Sequence, residues 1–439
     1  MKMKWMAGFV LLAILYGISA WGQGTQEPLT LEESIKIALE RSLQLHSSME
    51  GVVGAEFKQK EAITNFLPTW TGQYAYNRYD KPVVVGVTQA TAPGVLGVGS
   101  RDIFNLDTTI TQPIFTGGAN LANYRVQKLG VDISKTSVET VKRDIVLQVR
   151  TGYFNILRAL KLRDVAEQSV KQFQAQLDVA QAFFEVGIVA KNDVLQAEVS
   201  LANSRQTLVK AENDLAVAKA SFNTVLRRDV STPFSVVDIL KYEAFPLTFE
   251  ESLQEALRQR SEIKNAELTI KQAEENVKVA KSAFYPTISI SGNYNRFSDA
   301  IGLNSDSTSD RLTFQTLATF TLWNWGNTMY KVGESKVQVT QARDAKGQTI
   351  DSVTLEVRQD YLNMLTAEKN IDTAQKAVEQ AEENLRMNEE RYKYQVATQT
   401  DVINAVTLLA QARVNYYGAL SDFNVAKAQL DRAMGRMYP

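Results

Sequence analysis

Few residues in this chain could do chemistry. It has one histidine, His46, and no cysteine in 439 residues. Disulfides, thiolate metal sites, a catalytic thiol and a lipid-carrying N-terminal cysteine are therefore excluded. A histidine-based triad or a histidine-rich metal site lacks its parts. The sequence contains no phosphate-binding glycine loop, dinucleotide fingerprint or nucleophile elbow. Paired acids such as Glu32/Glu33 and Glu389/Glu390 fit solvated helix faces. No enzyme is expected, and no cofactor or metal. What remains is Asp193 and Asp401, each a few residues beyond a turn, and Tyr392, just before one of those turns. Read locally, an aspartate there can cap a helix start, and Tyr392 can pack in a helical seam.

These three residues sit on the pattern that organises the chain. Val194, Leu201, Leu208, Leu215 and Phe222 recur every seven residues, with Ala197, Ser204, Ala211, Ala218 and Val225 three positions on. Upstream, Val170, Leu177 and Phe184 keep the step beside Ala166, Phe173 and Ala180. A strict seven-residue repeat holds one seam toward a partner helix in a left-handed supercoil. The expectation is a coiled-coil hairpin turning near Gly187. The same object recurs 208 positions later, in Val402, Leu409, Tyr416, Phe423, Leu430 and Met437 with Ala405, Ala412, Ala419, Ala426 and Ala433. Ile371, Val378, Leu385 and Tyr392 form its incoming run, and Gln148–Arg228 aligns with Glu356–Arg436 without a gap. This is an internal duplication.

Residues 1–22 read as a cleaved export signal: Lys2 and Lys4, an apolar centre Phe9–Tyr16, then small Ser19, Ala20 and Gly22. An uncleaved membrane helix is the alternative, since Trp5–Gly22 carries no charge. Without Lys2 and Lys4 the balance of 48 basic and 49 acidic residues moves further negative, which is no footprint for nucleic acid. The first repeat spans 23–228, with a helix over 30–65, strands over 69–79 and 104–113, a long helix over 118–184 and a helix over 193–228. Residues 229–247, holding Pro233 and Pro246, form a linker outside the helices. The second repeat spans 248–439, with a helix over 249–283, strands over 287–297 and 312–323, a long helix over 327–392 and a helix over 401–436. Thr30 with Glu33, and Thr248 with Glu251, can close capping boxes. Pro68 and Pro286 stop the opening helices. Gly130 and Gly152 are points where the first long helix could loosen or break.

The four strand segments alternate, with Ile288, Ile290 and Tyr294, for example, opposing Ser289, Ser291, Asn293 and Asn295. About ten residues is the length of a tilted strand crossing a bilayer, and aromatic residues stand near both ends as in membrane girdles. A soluble sheet with one wet face would alternate in the same way. Four strands cannot close a barrel, and open edges are not tolerated in lipid, so spanning strands require an oligomer; three copies would supply twelve strands. The loop over 80–102, longer than its counterpart near Ser298–Asp310, is expected to face the exterior.

Together these features resemble the outer membrane efflux family, the TolC-like channel proteins. The resemblance covers essentially the whole mature chain. Its sharpest piece is the tip Val186-Gly-Ile-Val-Ala-Lys-Asn-Asp-Val-Leu-Gln-Ala197; the second copy, Tyr394 to Ala405, is looser, with Gln395 where the family usually has glycine. The resemblance implies a homotrimer: a 12-stranded barrel in outer-membrane lipid above a tunnel of coiled-coil helices through the periplasm. It implies a periplasmic adaptor meeting the hairpin tips (Val186, Gly187, Ile188, Val189 and Ala190 in one, Val396, Ala397 and Thr398 in the other) and an inner-membrane pump supplying the energy. The duct itself is passive. Asp401 matches an acidic position pointing into the closed entrance, where three copies would make an anionic ring that attracts cations. Three residues on, Asn404 replaces a second aspartate common in the family, which implies a weaker ring. Asp193 and Tyr392 match a pair that ties the two hairpins together when the entrance is closed. A periplasmic adaptor, by contrast, would show one hairpin between soluble β-domains, and a porin would be nearly all strand.

Overall fold

The computed structural model describes residues 28–83, 100–305 and 308–437. The expected signal at 1–22 and most of the expected loop over 80–102 lie outside the described residues. The two halves repeat one order of elements. The first holds α1 (Leu31–Arg41), α2 (Leu43–Thr64), β1 (Thr69–Val83), β2 (Ser100–Thr116), α3 (Ala119–Glu185) and α4 (Lys191–Val225). The second holds α5 (Phe249–Gln259), α6 (Ser261–Lys281), β3 (Thr287–Ser298), β4 (Ser309–Thr319), α7 (Asn327–Lys393) and α8 (Gln399–Ala433). Both long helices have 67 residues and both return helices have 35. At 1.5 Å per residue these are roughly 100 Å and 50 Å long.

The long helices run unbroken through Gly130 and Gly152. Gly152 serves packing rather than loosening: a Cβ there would lie 2.8 Å from the ring of Phe222. The single helices expected over 30–65 and 249–283 are instead two helices each. Ser42 (φ −66°, ψ 120°) and Arg260 (φ −64°, ψ 123°) take extended backbone and turn the chain. Ser42 caps the new start by accepting from the Leu45 amide at 3.2 Å. Both capping boxes form as expected at Thr30/Glu33 and Thr248/Glu251. The return helices stop short of 228 and 436 in paired turns. Arg228 and Arg227 donate to the carbonyls of Asn223 and Thr224, and Arg436 and Gly435 do the same with Asp431 and Arg432.

The four strands form one antiparallel sheet in the order β1-β2-β3-β4, so the halves join at β2–β3 and, among the described residues, the outer edges of β1 and β4 are unpaired. The register puts Trp70, Ile110, Gly292 and Phe314 in one row on one face. Thr71, Thr109, Asn293 and Thr313 make a row on the other. The polar face also carries the row Gln73, Asp107, Asn295 and Arg311. There Asp107 accepts from the amides of Asn293 (2.9 Å) and Asn295 (3.0 Å). Several strand limits differ from expectation: β1 runs to Val83 rather than 79, β2 starts at Ser100 rather than 104 and β4 at Ser309 rather than 312. β2 runs past Pro113 through a register shift, which accommodates a residue without an N–H. β4 ends at Thr319 rather than 323, because Thr287 opposite it is the first residue of β3 after Pro286. Phe284, Tyr285, Trp323 and Trp325 stand exposed at the helix end of the sheet, and Tyr76 stacks on Phe104 at the other.

Below the sheet, most heptad positions of the return runs are buried, while Leu208, Ala211, Ala218, Val225 and Tyr416 are half-buried and Met437 is exposed. Val194, Ala197, Leu201, Leu215 and Phe222 are buried on α4, and Val402, Ala405, Leu409, Ala412, Ala419, Phe423, Ala426 and Leu430 on α8. Residues 229–247 run as an irregular strap. The Tyr153 hydroxyl lies 2.8 Å from the Val237 carbonyl and 3.0 Å from that of Leu29, and Phe234 packs on Phe222.

Candidate functional site at the hairpin tips

Each long helix ends in a tight two-bond turn. At the first tip, Ile188 N–H donates to the Phe183 carbonyl (2.8 Å) and Gly187 N–H to that of Phe184 (2.9 Å), with Gly187 at φ 77°. At the second, Val396 N–H donates to Arg391 (2.8 Å) and Gln395 N–H to Tyr392 (3.0 Å). Gln395 sits at φ 60°, where a side chain costs about 1–2 kcal/mol that glycine avoids. The turns hold apolar side chains in the open: Val186, Ile188, Tyr394 and Val396 are all exposed. Gly187 and Ala190 are exposed too, while Val189 and Ala397 are half-buried.

Asp193 and Asp401 are not N-caps. They occupy the third position of α4 and α8, and the caps are Ala190 and Thr398. Capping requires extended backbone, and each chain reaches it three residues before the aspartate. Asp401 completes a capping box: its Oδ2 accepts from the Thr398 amide and hydroxyl, both at 2.8 Å. These bonds, with Arg391 nearby, hold its carboxyl below the usual carboxylate range. Thr398 is thus engaged in the cap. Asp401 and Asn404, one turn on, are both exposed. Asp193 makes no capping bond.

Tyr392 is buried, and its ring lies 5.6 Å from that of Phe183 across the two hairpins. Burial, and then the charge of Asp193, push its phenol above the ordinary value. Asp193 is near enough for its charge to act, yet the Tyr392 hydroxyl is buried with no hydrogen-bond partner among the described residues. The expected pair is brought close but not joined inside a single protomer.

A buried bond between the two hairpins near the tips was not expected. Gln176 Nε2 on α3 donates to Gln399 Oε1 on α8 at 2.7 Å, with both residues buried. Gln399 Nε2 has no partner among the described residues. Thr400 adds a second contact, to Gln196 Oε1 at 3.2 Å. One sequence signal could have exposed Gln176. Ser169, Gln176 and Phe183 form a third seven-residue column, one place before Val170, Leu177 and Phe184. A core of Phe173, Leu177, Ala180, Val194, Ala197 and Leu201 with Leu385, Tyr392, Val402 and Leu409 surrounds these contacts.

Among the described residues no helix is long and apolar enough to cross a membrane, and the unpaired strand edges remain the feature to explain. The fold is found in solved outer-membrane channels. CusC matches with a TM-score of 0.79 and 18% identity, covering 93% of this chain and 92% of that one. The CmeC outer membrane channel of Campylobacter jejuni matches at 0.76 and 18% identity, covering 98% and 94%. By sequence the chain is 22% identical over 410 residues to the outer membrane efflux protein BepC of Brucella suis, covering 93% of this chain and 86% of that protein. It is 23% identical over 347 residues to the outer membrane protein TolC of Escherichia coli, covering 75% and 68%. The family model for outer membrane efflux proteins matches residues 35–226 and 252–436, both repeats, and the chain belongs to that family.

Proposed function

We propose that three copies of this chain form the exit duct of a tripartite efflux or type I secretion system, conducting substrates passively from an adaptor and inner-membrane pump to the exterior. Membership of the family puts it in the outer membrane with its helices in the periplasm. The observation that carries the reading is the four-stranded sheet: one apolar face, one polar face and two unpaired edges. In lipid those edges need partners, and β4 of one copy pairing with β1 of the next closes a twelve-stranded barrel around the polar row. The exposed apolar residues of α4 (Val199, Val209, Val217) and α7 (Leu355, Leu362) then meet between copies.

The entrance is gated at the tips. Asp401 forms the anionic ring, weakened by Asn404, and repulsion among three copies opposes the pKa depression that Thr398 gives a single one. Asp193 and the unsatisfied Tyr392 hydroxyl close onto each other or onto a neighbouring copy in the resting state. Single-channel recording of purified protein in planar bilayers tests this. A small conductance that divalent cations reduce is expected for the wild type. Loss of that cation sensitivity is expected in Asp401→Ala, and a larger conductance in Asp193→Ala with Tyr392→Phe. Channels that ignore all three substitutions would remove the gate and keep the duct. Folded protein that makes no channels would overturn the duct itself.

The exposed apolar tips, Val186 and Ile188 with Tyr394 and Val396, dock the adaptor. Ile188→Asp is expected to cut export and adaptor cross-linking at least about tenfold, a loss of about 1.4 kcal/mol or more. Assembly of the barrel should be unchanged. Intact cross-linking in this variant would disprove docking at the first tip.

A further inference from the structure

The two repeats differ sharply at the joints where α2 and α6 begin. In the first, the residues are neutral: Ser42, Gln44, Gln148 and Thr224. At the matching positions of the second stand Arg260, Glu262, Glu356 and Arg432. Arg260 is buried between the end of α8 and the start of α6. It donates to the Ala433 carbonyl (3.1 Å), to Glu356 (2.7 Å) and to Glu262 (3.0 Å). Arg432 joins the same Glu356 and reaches Asp144 on α3 at 2.9 Å, with Glu262 3.8 Å away. One network thus fastens α8, α6, α7 and α3 together.

Beside it lies a cavity of about 430 Å³, lined in part by Asp144, Gln148, Glu356, Asp360, Gln429 and Arg432. Asp360, one turn beyond Glu356, occupies the position that Gly152 holds in the first repeat. The groups around it are Glu356 on its own helix, Arg432 from α8, Asp144 and Arg143 from α3 with the Glu139–Lys142 pair beside Arg143, and Arg260 and Glu262 from the α5–α6 joint. Arg143 is tied to the Ser261 hydroxyl. Three guanidiniums and the Lys142 ammonium stand against five carboxylates, Asp360 included, and Asp360 is the one half-buried acid in this group with no ion pair among the described residues.

We propose that this joint is a proton-tuned clamp: a proton on Asp360 removes the surplus negative charge and tightens the hold of α7 and α8 on the α5–α6 joint, and its loss relaxes that hold. Burial, followed by repulsion from Glu356, pushes the Asp360 carboxyl up to about 6, against the pull of Arg432 and Arg260. A carboxyl raised in the closed joint stabilises it fully below the ordinary value near 4 and loses that contribution as pH rises through 6. The clamp acts on the hairpin that carries Asp401, so its consequence for gating rests on the duct reading, whereas the clamp itself does not.

Hydrogen exchange on the full chain in detergent, at pH 5.5 and 7.5 and corrected for intrinsic rates, separates the two. In the wild type, residues 256–264 and 428–436 are expected to open roughly fourfold more often at pH 7.5, the full effect of one proton leaving a carboxyl that titrates at about 6 across this window. Asp360→Asn should lose this dependence and stay as protected at pH 7.5 as the wild type is at 5.5. Residues 38–46 and 220–228, at the neutral joint, should not respond. Equal protection of the wild type at both pH values overturns the clamp. So does an unchanged pH response in Asp360→Asn, or an equal response at both joints. None of these outcomes depends on whether the protein conducts.

Discussion

Arginine in place of Phe314 is expected to abolish assembly in the outer membrane, whereas arginine in place of Thr313, the adjacent residue, leaves assembly intact and alters conductance. Phe314 is highly exposed on β4 and lies over Gly292, in the row with Trp70 and Ile110. If that face meets lipid, an arginine near mid-bilayer costs about 2–4 kcal/mol in each copy, and a trimer carries the cost three times. Thr313 shares the polar face with Thr71, Thr109 and Asn293, where a charge stays in water. The amount of folded oligomer recovered from outer-membrane fractions reads the difference. Equal recovery of both variants would mean the two faces are assigned wrongly or that the sheet is not in lipid.

The second large effect is expected from Arg260→Ala. It leaves Glu356 and Glu262 short of a buried cation and strips the Ala433 carbonyl of its donor. Removing one partner from a buried charge network costs about 3–5 kcal/mol. The matching change at the first joint, Ser42→Ala, removes only a neutral cap and is expected to cost about 1 kcal/mol. Protease susceptibility at the two joints measures both. Adding Glu356→Gln to Arg260→Ala should restore part of the loss, because it withdraws a stranded carboxylate. If Arg260→Ala is no worse than Ser42→Ala, the network does nothing beyond capping.

Periodic features were legible in the sequence because their cause is local. Seven-residue spacing sets the seam of α4 and α8, alternation sets the faces of the sheet, and Thr30-x-x-Glu33 closes its own capping box. What was missed depends on distant parts. Ser42 and Arg260 are neither proline nor glycine, and at Arg260 the extended backbone is held by α7 and α8. The end of β4 is set by where β3 begins. Asp193 and Asp401 lie one turn inside their helices because the extended residues precede them by three. Gln176 and Gln399 are 223 residues apart, and only the packing of α3 on α8 makes them neighbours.

The equal helix lengths of the two halves act as a ruler. With 67 residues down and 35 back in each repeat, both tips reach the same depth, and in the proposed trimer six such tips would end in one level rim. Depth can change only in matched steps. Seven residues added to each of α3, α4, α7 and α8 would lower the rim by roughly 10 Å and leave every seam facing its partner. The same insertion in one hairpin would tilt the rim. An insertion of three or four would turn the tips away from whatever they meet. The distance the tips cover toward the inner membrane is thus fixed in units of the heptad.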